Sequence, residues 1–71
     1  MTRAEARIVE YIRNNGSITS MDAFYNLGET KLATKISNII REGQVPIKKE
    51  REVATNRYGE KVSFVRYRIG K

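Results

Sequence analysis

Three features of this sequence predict an α+β fold of three helices followed by a two-stranded hairpin. Apolar residues recur at helical spacing in three stretches within the first 43 positions. At Ile47 the period changes to two and holds to Ile69, and a single Gly-containing turn divides that alternating run. With 71 residues the chain supports one small core and is expected to form one domain over residues 1–71.

The first helix is predicted to begin at Arg3, because Thr2 with Glu5 three residues on makes a capping box. Ala4, Ile8 and Ile12 form one stripe with Val9 and Tyr11 beside it, while Arg3, Arg7, Glu10 and Arg13 take the rest of the circumference. Asn14-Asn15-Gly16 ends it, since Gly16 can adopt the left-handed conformation of a helix C-terminus. The sequon-like Asn15-Gly16-Ser17 reads as this turn and not as a glycosylation site.

Ser17-Ile18-Thr19 is a short extended link, and Thr19 caps a second helix over 20–26 with Asp22 completing the box. Ile18 and Ala23 are spaced as a hydrophobic staple, and Leu27-Gly28 breaks the helix. Thr30 is expected to cap a third helix over 31–42, with Leu32, Ala33, Ile36, Ile39 and Ile40 inward. Gly43 stops it, and Pro46 prevents its continuation.

From there Ile47, Lys49, Arg51 and Val53 alternate with Lys48, Glu50 and Glu52. Beyond Asn56-Arg57-Tyr58-Gly59-Glu60, Ser63, Val65, Tyr67 and Ile69 alternate with Val62, Phe64, Arg66 and Arg68, which makes a hairpin with a five-residue loop. The expected core is Ile8, Ile12, Ile18, Phe24, Leu27, Leu32, Ile36, Ile39, Val45, Ile47, Val65, Tyr67 and Ile69. Exposure of Val62 or Phe64 would point to a dimer interface.

Composition bounds the function. The chain has neither cysteine nor histidine, which removes disulfides, thiolate chemistry and the commonest general base and metal ligand. There is no GxxxxGK[ST] loop and no grouping of carboxylates as metal ligands, so the chain is expected to be no enzyme and to need no cofactor. No segment approaches the roughly 20 apolar residues of a membrane span, and the N-terminus carries no apolar targeting region; a cytoplasmic location is expected. The net charge is +6, from 14 Lys and Arg against 8 Asp and Glu. Residues 47–71 hold eight basic and three acidic residues, net +5, so nearly all the excess lies in the last third. Such a domain is drawn to polyanions, nucleic acid first.

Three helices with a short strand after the first and a basic C-terminal hairpin resemble the winged helix-turn-helix domain. The likeness is carried by Gly16-Ser17-Ile18-Thr19, Asp22-Ala23-Phe24, Leu27-Gly28, Thr30-Lys31-Leu32-Ala33 and Ile36-Ser37. It continues in Arg41-Glu42-Gly43, Pro46-Ile47-Lys48, Asn56-Arg57-Tyr58-Gly59 and Tyr67-Arg68, and these stretches are similar to small bacteriophage and prophage members of that family. One departure stands out: with Ala23 as the small residue of the first helix of the motif, the turn glycine Gly28 falls one place late.

The resemblance implies that the third helix enters the major groove of double-stranded DNA and that the hairpin, or wing, lies along the backbone or in the minor groove. Thr30, Lys31, Thr34, Lys35, Asn38 and Arg41 are the expected contact residues of the helix; amides and hydroxyls mixed with cations can read base edges. Thr30 and Lys31 stand where helix N–H groups suit a phosphate, with Glu29 as a contrary charge nearby. On the wing the expected contacts are Asn56, Arg57, Tyr58 and Lys61. Lys49, Arg51, Arg66 and Arg68 either extend this surface or pair with Glu50 and Glu52.

The expected role is a sequence-specific regulator of transcription, or an accessory factor in excision or replication, working as a homodimer or by cooperative filling of adjacent sites. Neither a membrane nor a small-molecule substrate is expected as a partner. A protein-binding winged helix is the competing expectation, and more exposed apolar surface would favour it.

Overall fold

The computed structural model describes residues 1–43 and 45–70. Helix α1 (Arg3–Asn15) leads to strand β1 (Ile18–Thr19), then α2 (Ser20–Asp22), which runs directly into a π-helical turn, Ala23–Leu27. Helix α3 (Leu32–Glu42) follows, and then strands β2 (Ile47–Thr55) and β3 (Lys61–Ile69). The sheet is antiparallel in the order β1-β3-β2, so the last strand in the chain is the central one.

Both expected capping boxes form. The Thr2 hydroxyl accepts from the Glu5 N–H at 3.2 Å, while the Glu5 carboxylate accepts from the Thr2 N–H at 2.9 Å; Thr19 and Asp22 repeat the exchange at 3.2 and 3.1 Å. Ile8, Val9 and Ile12 of α1 pack with Ile18, Ala23, Leu32, Ile36, Ile39, Val45 and Tyr67 into one buried cluster, bordered by half-buried Leu27, Ile47, Val65 and Ile69. Ser17-Ile18-Thr19 is more than a link. Ile18 and Thr19 pair with Tyr67 and Arg66, which fastens the end of α1 to the hairpin.

Four expectations are corrected. Phe24 is not core; it is 54% exposed. The inward position beside α1 belongs to Ala23, fully buried, whose small side chain lets the backbone lie close and turns the next residue outward. Secondly, the second helix does not remain α-helical to residue 26. The Gly28 N–H reaches back five residues to the carbonyl of Ala23, and Glu29 bonds the same carbonyl at 2.9 Å. This wider turn holds one extra residue, which accounts for the late position of Gly28.

Thirdly, Thr30 does not cap α3. The Glu29 carboxylate accepts from the Lys31 N–H at 2.9 Å, Lys31 occupies the cap position, and no side chain of the cap residue itself is used. Lastly, Ala33 is exposed and Ile40 is 41% exposed. The buried seam of α3 is the narrow row Leu32, Ile36 and Ile39, because the small body offers one groove and no second wall.

Candidate nucleic-acid interface

Helix α3 buries one row of apolar side chains, so its opposite face must be the one free for a partner. Thr34, Ser37 and Arg41 lie on that face and are exposed, with Ala33 and Ile40 along one border. Lys35 and Asn38 lie along the other border and are half-buried. Asn38, Arg41 and Glu42 of α3 line a shallow groove with Thr2 and Glu5 at the start of α1. Thr30 and Lys31 are exposed at the N-terminal end, where the Glu29 carboxylate already holds one of the N–H groups that a phosphate would use.

Glu5 is the one acidic residue buried here, at 3% exposure. Its hydrogen bond with the Thr2 backbone holds its carboxyl below the usual carboxylate range; burial works the other way, and Lys35 assists the lowering.

The wing tip is built by Asn56. Its carbonyl accepts from the Gly59 N–H at 3.0 Å to close a turn, and its N–H donates to the Glu60 carbonyl at 2.9 Å. Its side-chain oxygen accepts from the N–H groups of Tyr58 and Glu60 at 2.9 and 3.0 Å, and its amide nitrogen donates to the Glu60 carboxylate. Gly59 supplies the left-handed residue that returns the chain to β3 (φ 77°). Asn56 therefore has its polar groups engaged inside the loop, whereas Arg57 and Tyr58 are presented outward, Tyr58 at 78% exposure, and Lys61 is exposed at the start of β3.

On the strands the alternative left open by the sequence is decided by diagonal pairing. Arg66 Nε donates to both carboxylate oxygens of Glu52 at 3.0 Å, and its Nη1 donates to the Ser17 hydroxyl at 2.9 Å. The guanidinium lies 5.8 Å from the centre of the half-buried Phe64 ring. Arg68 pairs with Glu50. Lys49 and Arg51 remain exposed and make no ion pair among the described residues.

The sites expected from sequence thus fall on α3 and on the tip of the hairpin that follows it. Ser37 and Ala33 belong to the same helix face, although Ser37 is not among the expected contacts and the spacing of Ala33 predicts an inward position. Only the narrowness of the buried seam exposes Ala33, and a 3.6-residue period cannot report seam width. A further feature is apolar: Met21, Phe24 and Tyr25 are all exposed around α2 and the π turn, with the two rings edge to face at 5.3 Å. Val62 is also exposed, whereas Phe64 is half-covered. No group of three or more potential metal ligands occurs among the described residues, and no helix among them is long and apolar enough to cross a membrane.

A family model described as a winged helix-turn-helix domain matches residues 3–71. Comparison with curated proteins and with solved structures finds no match.

Proposed function

This chain belongs to the winged helix-turn-helix family, and from that premise we propose that it is a sequence-specific double-stranded DNA-binding protein. The observation that carries the reading is the single polar, cation-bearing face of α3, set beside a wing whose tip presents Arg57 outward. In this reading Thr34, Lys35 and Asn38 meet base edges in the major groove, Asn38 through an amide suited to adenine. Thr30, Lys31 and Arg41 contact backbone phosphates at either end of the helix. Arg57, Tyr58 and Lys61 extend the contact to the adjacent groove or backbone, and Asn56 shapes the tip that presents them. The role is regulation of transcription, or assistance to excision or replication, in a phage or prophage setting. Binding by two copies supplies the surface that one small module lacks.

A titration of labelled protein with random-sequence duplex, followed by amide NMR shifts at low and moderate salt, tests the reading. Shifts concentrated on 30–41 and 56–61 that weaken with salt are expected. No shift at low salt would rule DNA out. After selection of a preferred site, Asn38→Ala is expected to reduce discrimination by about 1–3 kcal/mol at one position. Arg57→Ala is expected to weaken all sequences alike and to flatten the salt slope by about one.

The exposed Met21, Phe24 and Tyr25 favour a second reading, a protein-contact face on α2 and the π turn. Under it, substitutions at Phe24 and Tyr25 disturb assembly and leave DNA affinity of the single copy unchanged.

A further inference from the structure

The wing carries its charge unequally on its two faces. Directly opposed residues of antiparallel strands share a face, and neighbours along a strand alternate. One face therefore carries Lys49, Arg51 and Lys61, and it continues inward to Val65 and Tyr67, which pack on the helices. Between Ile47 and Ile69 this helix-side face contains no carboxylate. The other face carries Lys48, Arg66 and Arg68 together with Glu50 and Glu52, and both of its arginines are engaged by those acids. The formal charge is thus +3 on the helix side and +1 on the far side.

Resting on the DNA-binding reading above, we propose that the wing meets DNA with its helix-side face, where Lys49 and Arg51 are backbone-contacting residues in addition to those of the tip. Two side chains separated by one residue on a strand stand about 7 Å apart, and both are long enough to reach neighbouring phosphates from one edge. Neither has to leave a carboxylate to do so. Arg66 and Arg68 are different. Each guanidinium is already shared with a carboxylate, so a phosphate that reaches its remaining N–H groups also meets the negative charge of Glu52 or Glu50. Arg66 is held further by its bond to the Ser17 hydroxyl, just beyond the end of α1. The far face accordingly points to solvent, and its ion pairs keep a basic hairpin from being equally attractive on both sides.

The test compares two double variants that each remove two positive charges, Lys49→Gln with Arg51→Gln on the helix side and Lys48→Gln with Arg68→Gln on the far side. Binding to a random-sequence duplex of about 20 base pairs is measured between 50 and 200 mM salt, conditions over which phosphate contacts dominate. The helix-side variant is expected to lower the slope of log affinity against log salt by about 1.8, and the far-side variant by less than half of that. The exchange Lys49→Arg with Arg51→Lys preserves both charges and is expected to keep the slope, with amide spectra verifying that each variant is folded. Equal loss from both faces, or a larger loss from the far side, would overturn the assignment. A wild-type protein that shows no salt-dependent binding at all overturns the DNA reading itself, a separable result.

Discussion

Both ends of the Asn56 amide are used inside the wing loop, so its substitution should act on stability and only through stability on binding. Asn56→Ala removes two bonds to loop N–H groups and one to the Glu60 carboxylate, and about 1 kcal/mol of destabilisation is expected from this half-buried site, measured by urea unfolding. Arg57→Ala next to it is expected to leave stability within about 0.5 kcal/mol. Gly59→Ala forces a left-handed alanine and is expected to cost about 1–2 kcal/mol.

Glu5 belongs to the same scale. Its folded-state pKa is depressed through the Thr2 hydrogen bond, so its contribution is present above the ordinary carboxylate value and is lost as pH falls through the folded value. Thermal unfolding should therefore show a fall in Tm on acidification that is shallower in Glu5→Gln, a variant able to keep the capping box.

Among the elements, the segment from Thr19 to Gly28 depends most on a single small residue. Ala23 seats the segment on the core, and Ala23→Val is expected to cost about 1–3 kcal/mol by overpacking. Phe24→Ser one position later is expected to change stability by no more than about 0.5 kcal/mol. In α3, Ile36→Ala is expected to cost about 2–5 kcal/mol, because Ile36 is fully buried in the seam. Together the three variants report which way the helix pair is turned. If Phe24 proves as costly as Ile36, the orientation of the π turn is wrong.

The whole molecule is held together by its last strand. Tyr67 and Val65 reach the cluster built by α1 and α3, and β3 lies between β1 and β2. The helices alone lack that wall. A fragment comprising residues 1–46 is expected to be largely unfolded by circular dichroism and amide dispersion, although every helix start and stop signal is present in it. The ion pairs on the far face contribute little to this cohesion, about 0–1 kcal/mol each at their exposure. Their main effect is on where positive charge remains available.

The capping boxes of Thr2 and Thr19, the glycine stops, the period change at Ile47 and the five-residue wing loop were legible in the sequence, because each depends on residues within a few positions of one another, whereas the cap expected at Thr30 did not form. The concentration of charge in the last third was legible for the same reason. Other features required the fold. The outward turn of Phe24 follows from Ala23 meeting α1, and the exposure of Ala33 and Ile40 follows from how wide a groove the body offers. The division of the wing cations into free and engaged sets depends on a register that brings Glu52 diagonally to Arg66, 14 residues away, and Ser17 to the same guanidinium across 49. Local chemistry determines where elements begin and end; only the packing of distant segments decides which side of each element remains open to a partner.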